Sequence, residues 1–198
     1  FFQENRDPVE YDELGENIKN ALIVTEDIRF YEHWGVDPRS VVGAIISTAK
    51  GDKRGGSTLT QQLAKNLYKT RRRKSTGLLG YIPGVRTIIS KSKEWITSFK
   101  LEIYYTKDEI LTMYLNTVDF GHNTFGIKVA SESYFGVKPD ALTIPQAAML
   151  VGMLKGPTLY SPLKNPKNCI KRRNEVIAKL LKYEKISHSY YWNCRGGY

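Results

Sequence analysis

Signals that start helices recur along this chain, and the residues after each of them keep a helical period. Asp37 precedes Pro38 and then Val41, Val42, Ile45, Ile46 and Ala49; Thr58 with Gln61 fits a capping box beside Leu59, Leu63 and Leu67; Thr143-Ile-Pro-Gln146 opens an apolar run, and Asn165-Pro166 opens a further one. A short polar side chain that accepts from the first free N–H groups, with proline just inside, is how a helix begins. No internal repeat, no strong hairpin signal and no convincing linker interrupts this series. With 198 residues, 41% hydrophobic and 25% charged, the chain can bury a core as one domain or two small lobes.

Taken in order, residues 1–13 are polar and read as an extended arm. From about Leu14 a helix puts Leu14, Ile18, Ala21, Leu22 and Thr25 on one face and delivers Glu26 to its C-terminal end. The Asp37-capped helix runs to Lys50, and a basic glycine-rich loop follows. Lys69–Lys74 carries five positive charges in six residues, and glycines, a proline and apolar residues without period make Lys69 to Ser90 a mobile loop. Helical period returns from Lys91 to Tyr105, with Trp95, Ile96, Phe99 and Ile103 expected inward and Glu94 and Glu102 bordering that face. Ile110, Leu111, Tyr114 and Leu115 make a core helix ending near Asn116, and Asp119 to Gly126 reads as a turn region. A short helix ends by Gly136, and in the last long helix Ile170, Val176, Ile177, Leu180 and Leu181 face the core. Arg173 falls on that same face, where an inward arginine needs an anion.

Glu26 to Asp37 is the stretch richest in chemistry. Its carboxylates sit where a buried run, Ala21 to Val24, meets a surface, a place that suits a general base, though a solvated helix face has the same composition. His33 has no second histidine at ligand spacing and reads as a structural hydrogen-bonding residue. The segment Gly55-Gly-Ser-Thr-Leu-Thr-Gln-Gln-Leu-Ala-Lys-Asn66 places glycines, hydroxyls and a lysine at a helix start. That suits an anion, while a plain capped helix explains it equally; the spacing is not that of a Walker phosphate loop.

Thirty Lys plus Arg against twenty Asp plus Glu gives a net charge of +10, which favours an anionic partner: nucleic acid, an acidic membrane surface or a phosphorylated substrate. The apolar runs are too short for a membrane span, and Phe1-Phe2 does not begin a signal peptide, so the protein is soluble or its anchor lies elsewhere. Cys169 and Cys194 are too few for a metal site, and nothing says whether they pair.

Five stretches together resemble one family, the peptidoglycan glycosyltransferase domains of class A penicillin-binding proteins and monofunctional transglycosylases, family 51 of the glycosyltransferases. They are E-D-I-R-F-Y-E-H-W-G-V-D from Glu26, G-G-S-T-L-T-Q-Q-L-A-K-N, K-S-K-E-W from Lys91, K-D-E-I-L-T-M-Y-L-N from Lys107 and R-R-N-E-V from Arg172. The resemblance implies a mainly α, lysozyme-like fold, a single glycosyltransferase domain over 1–198 with a globular lobe and a smaller mobile jaw, about 51–90, facing the membrane. It implies lipid II as substrate, polymerised with inversion into β-1,4-linked glycan on the extracytoplasmic face of the bacterial cytoplasmic membrane.

By motif, Glu26 is implied as the catalytic base and Glu94 as the second essential carboxylate. Ser57, Thr58, Gln61, Gln62, Lys65 and Asn66 are implied at the substrate, with Lys91 on the diphosphate. Asp27, Phe30, His33, Gly35, Asp37, Asn116, Arg172 and Arg173 belong to the motifs as structural positions. Two departures stand out: Ser90 replaces the usual arginine before the second glutamate motif, so that contact is expected from Arg86 or the 71–73 cluster, and the Gln62 to Glu94 span is longer by roughly a dozen residues, which a loop absorbs cheaply.

Displacing a diphosphate calls for cations to hold developing charge and a base for the attacking hydroxyl, with no acid for the leaving group. A divalent cation, Mg or Mn, could assist, though no ligand cluster demands one. The expected partners are lipid II, the growing glycan strand and the membrane surface, with other cell-wall synthesis proteins admissible and nucleic acid not expected. The alternatives are a lysozyme-like glycosidase or lytic transglycosylase, which needs a proton-donating acid and no diphosphate clamp, or a non-catalytic basic module for lipid or nucleic acid.

Overall fold

The computed structural model describes residues 7–49, 56–68 and 85–196. Among them the chain forms α1 (Glu16–Glu26), α2 (Pro38–Ala49), α3 (Leu59–Tyr68), α4 (Val85–Tyr104), α5 (Lys107–Thr117), α6 (Ile127–Phe135), α7 (Ile144–Leu154), α8 (Pro166–Lys182) and α9 (His188–Gly196). Extended pairing among the described residues is limited to two isolated bridges, Trp34 with Val36 and Asp119 with Phe125. Two compact units result: Phe1–Ile28 with Leu115–Tyr198, and Arg29–Tyr114.

In the first unit α7 packs on α8 and α1, and α1 also meets α8. Ile18, Ala21 and Leu22 of α1, Ala148, Leu150 and Val151 of α7, and Val176 and Ile177 of α8 are fully buried. The Thr143 capping box is present, Gly136 ends α6 in the left-handed conformation, and Gly156 follows the end of α7, as the local chemistry dictates. The N-terminal segment is not an extended arm throughout. Val9 is buried, its N–H and carbonyl are both taken by the Asn116 side chain at 3.1 and 2.9 Å, and Tyr11–Glu13 form a 3-10 turn.

The inward arginine of α8 is Arg172, not Arg173. Cys169, Arg172 and Val176 make the buried row, whereas Ile170 is 41% exposed. The Arg172 stem packs over Gly152, its Nη1 reaches Glu175 at 2.8 Å, and the guanidinium stands 6.0 Å from the Tyr160 ring, so the anion it needs comes from its own helix. A further helix, α9, follows the one read as the last long one.

In the second unit α3 packs against α4. Leu59 and Leu63 are fully buried, but Leu67, expected with them, is 42% exposed, and Val42 and Ile46 of α2 also face outward. Helix α4 begins at Val85, inside the segment read as loop, because Val85, Ile88 and Ile89 already keep a helical spacing. The inward face of α4 is the opposite of the expected one: Glu94, Ser98 and Leu101 are buried, while Ile96, Phe99 and Ile103 are 58%, 48% and 68% exposed and Trp95 is also exposed. Periodicity locates two stripes on a helix but does not rank them when the polar stripe has partners waiting. The Lys69–Lys74 run and the rest of 69–84 lie outside the described residues, as do the 51–55 loop and the Arg86 side chain.

Candidate active site

Glu26 is the final residue of α1, half-buried, and is followed by the buried Asp27, whose N–H donates to the Ile23 carbonyl at 3.0 Å. The placement is the one the apolar run predicts: helix packing fixes Ala21 to Val24, and the chain leaves the core at the carboxylate. Lys179 of α8 reaches the same turn, donating from Nζ to the Thr25 carbonyl at 2.9 Å. Burial first, and then Arg172, push Lys179 below its usual range, while Glu26 and Glu175 act in the opposite direction. Sequence reasoning passed over Lys179; the available signal was its position between Ile177 and Leu180, which both line the core.

The second unit holds most of the remaining motif residues. Phe30 is fully buried, with the Lys107 ammonium 4.7 Å from its ring, and His33 is buried edge-on to it with ring centroids 6.3 Å apart. Lys107 also donates to the His33 carbonyl and pairs with Glu102 at 2.8 Å, while Thr60 donates to that carboxylate at 2.6 Å. Glu102, read as only bordering the apolar face, is thus a fixed internal anion. Gly35 has a φ of +75°, and a Cβ there would lie 2.9 Å from the Ser98 backbone, so glycine is required on both counts.

Asp37 accepts from the Arg39 N–H at 3.0 Å, from the Ser40 hydroxyl at 2.6 Å and from Arg29 at 2.6 Å. Burial alone would raise its carboxyl, but the bonds from Ser40 and Arg29 overcome that and hold it at about 2.

Around the start of α3, Thr58 caps the Gln61 N–H at 3.2 Å and donates its hydroxyl to the Gly35 carbonyl. Gly56 permits close approach, since a Cβ would meet the Ala44 side chain at 2.7 Å. Gln61, expected to point away from the core, is buried, and its amide nitrogen has no hydrogen-bond partner among the described residues. Gln62 accepts from the Tyr114 hydroxyl at 3.1 Å, and Lys65 and Asn66 are exposed. Lys91, from α4, donates to the Ser57 hydroxyl at 2.9 Å and to Glu94 at 2.8 Å. Its side chain is 37% exposed whereas that of Glu94 is 3% exposed, so a buried carboxylate anchors a cation that solvent can reach. Among the described residues no three His, Cys, Asp or Glu side chains gather into a metal site.

Of the positions singled out in sequence, Ser57, Lys91 and Glu94 therefore meet directly, and Thr58, Gly35 and Ser98 brace them. The Asn116 side chain is bonded to the Val9 backbone and that of Arg172 to Glu175, and Arg173 is half-buried and bonded to the Asn174 side chain at 3.0 Å.

A family model described as Transglycosylase matches residues 1–181. The chain is 43% identical over 191 residues to penicillin-binding protein 1A/1B of Bacillus subtilis (strain 168), covering 95% of this chain and 20% of that protein. It is 40% identical to penicillin-binding protein 1B of Haemophilus influenzae, covering 87% of this chain and 21% of that one. The chain thus spans about a fifth of the length of these curated relatives. The crystal structure of penicillin-binding protein 1A from Haemophilus influenzae superposes with a TM-score of 0.56 at 20% identity, over 98% of this chain and 18% of that chain. That likeness is one of fold, the mainly helical, lysozyme-like architecture expected from the sequence.

Proposed function

This chain belongs to the Transglycosylase family, and from that premise we propose that it is a peptidoglycan glycosyltransferase that polymerises lipid II into β-1,4-linked glycan with inversion. The observation that carries the reading is Lys91, held by Ser57 and the buried Glu94 yet open to solvent at the start of α3. A cation so anchored suits a diphosphate whose charge grows as it leaves, because it is in place before the reaction and does not reorganise during it.

The proton of the attacking sugar hydroxyl passes to the Glu26 carboxylate as the oxygen forms a bond to the anomeric carbon of the donor. The bond from that carbon to the diphosphate breaks, and undecaprenyl diphosphate leaves with the electron pair. Lys91 takes up the developing charge, with the exposed Lys65 and Asn66 of α3 on the same substrate. Glu94 keeps Lys91 in position. A divalent cation at the diphosphate would find in Glu94 a carboxylate already paired with Lys91, and among the described residues no cluster of carboxylates, histidines or cysteines would hold it, so the charge stabilisation comes from the chain's own cations.

The membrane contact belongs to the exposed face of α4, where Ile96, Phe99 and Ile103 stand together over two turns with Trp95 and Tyr104 beside them. No helix among the described residues is long and apolar enough to cross a membrane. The enzyme works on the extracytoplasmic face of the bacterial cytoplasmic membrane, where lipid II is consumed.

Incubation with purified lipid II, and separately with isolated cell wall, tests the assignment. Glycan polymer from lipid II is the expected product; soluble muropeptides from cell wall would show a lytic enzyme instead, and neither product would leave a binding module.

A further inference from the structure

A cavity of about 270 Å³ lies within the second unit, lined by the turn from Tyr31 to Trp34 and by residues where α4 gives way to α5. Three of its lining residues, Tyr31, Trp34 and Tyr105, are aromatic and exposed. The turn is held from behind. Lys107 donates to the His33 carbonyl, Trp34 bridges to Val36, and Gly35 packs so closely on the Ser98 backbone that no Cβ fits.

The polar groups around the cavity are unequally committed. The Lys107 ammonium is given to Glu102 at 2.8 Å and to the His33 carbonyl, and it stands 4.7 Å from the Phe30 ring. The Thr106 hydroxyl donates to Glu109 at 2.9 Å and the Tyr31 hydroxyl to Asp108 at 3.2 Å. Glu32, in contrast, lines the cavity, is exposed and enters no ion pair among the described residues. An anion, which the net charge of +10 favours elsewhere, would meet here a carboxylate without a compensating cation. A cation meets both that carboxylate and three aromatic rings. Ring quadrupoles attract the positive charge while ring surface covers the alkyl groups around it, which is how alkylammonium ions are held.

We propose that this cavity is a binding site for a small organic ammonium ion of the choline or ethanolamine type, free in solution or borne as a lipid headgroup. Its volume falls just below the roughly 300–1,000 Å³ of sites for larger ligands, which suits a headgroup. Because the turn is fixed by Lys107 and Gly35, the site exists before the ion arrives. The site is independent of the polymerisation chemistry, and its test needs no lipid II.

The chain has three tryptophans, Trp34, Trp95 and Trp192, so indole N–H signals in an NMR titration read the site directly, with Trp34 assigned by its loss in Trp34→Phe. Choline is expected to shift the Trp34 signal saturably with a midpoint in the millimolar range, roughly the strength of a few exposed cation–π contacts, and to leave the signals of Trp95 and Trp192 in place. The neutral isostere 3,3-dimethylbutanol and the variant Glu32→Gln are each expected to weaken binding by about tenfold. Unmoved Trp95 and Trp192 signals in the variant report an intact fold. A Trp34 signal that choline does not move overturns the proposal; equal binding of the isostere, or unchanged affinity in Glu32→Gln, overturns it as well by showing a cleft indifferent to charge. Co-sedimentation with vesicles separates the two sources. Stronger binding to phosphatidylethanolamine mixed with phosphatidylglycerol than to phosphatidylglycerol alone, lost in Trp34→Ala, assigns the ion to a lipid headgroup, whereas no preference beside a choline-shifted Trp34 assigns it to the free ion.

Discussion

The Lys91 ammonium lies 2.8 Å from the carboxylate of Glu94, one turn further along α4, and the exposure of the two side chains differs by an order of magnitude, 37% against 3%. The buried anion holds the exposed cation in place. Lys91→Ala is therefore expected to leave the helix in place while raising the barrier to polymerisation by roughly 2–4 kcal/mol. Continuous lipid II turnover measures it, and a wild-type rate in the variant would remove Lys91 from the diphosphate.

Asp37 gives a prediction about acid stability. Its carboxyl is depressed to about 2 in the fold from an ordinary value of 3.8, so the stabilisation is complete above the ordinary value and is lost as pH falls through about 2. Asp37→Asn is expected to cost about 2 kcal/mol at neutral pH, and the gap from wild type should close on descending from about pH 4 to pH 2. Denaturant melts across that range check it. A gap that stays constant with pH would mean that the bonds from Arg29 and Ser40 do not depend on the charge.

Helix entries were legible in the sequence because capping is a local matter: Thr143 with Gln146, Asp37 with Pro38 and Thr58 with Gln61 each act within one turn. The direction in which a helix faces is a tertiary matter, and there local reading failed. Glu94 and Glu102 enter the interior because Lys91, Thr60 and Lys107 receive them; Thr60 lies 42 positions from Glu102, and Ser57, which holds Lys91 in turn, lies 34 positions from it, separations that no local reading spans. Arg172 displaced Arg173 inward for a similar reason, since Gly152 of α7 leaves room for its stem. Lys179 went unread because a lysine beside a core stripe looks like a solvated edge until the helix end it caps is known.

The outward face of α4 yields a binding prediction. Ile96→Glu with Ile103→Glu is expected to leave the melting temperature within about half a kcal/mol equivalent of wild type, as exposed substitutions do. The same pair should abolish co-sedimentation with vesicles of anionic phospholipid, since it sets two carboxylates against a negative surface in place of apolar contact. Vesicle binding at the wild-type level would assign the membrane contact to other residues.

The two glutamates are expected to fail differently when each loses its charge. Glu26 ends its helix at a half-buried position where a proton can be taken up, while Glu94 is enclosed and bonded to Lys91. An amide in place of Glu26 cannot accept the hydroxyl proton, so Glu26→Gln should lower single-turnover rates by roughly 10²- to 10⁴-fold while lipid II affinity and melting temperature stay near wild type. An amide in place of Glu94 still contacts Lys91 but no longer anchors it by charge, so Glu94→Gln should weaken lipid II binding by about tenfold, the size of one charge-assisted bond, in addition to slowing turnover. Rates and affinities measured on both variants separate the roles: equal turnover in Glu26→Gln and wild type would end its role as base, and unchanged affinity in Glu94→Gln would end the division of labour between them.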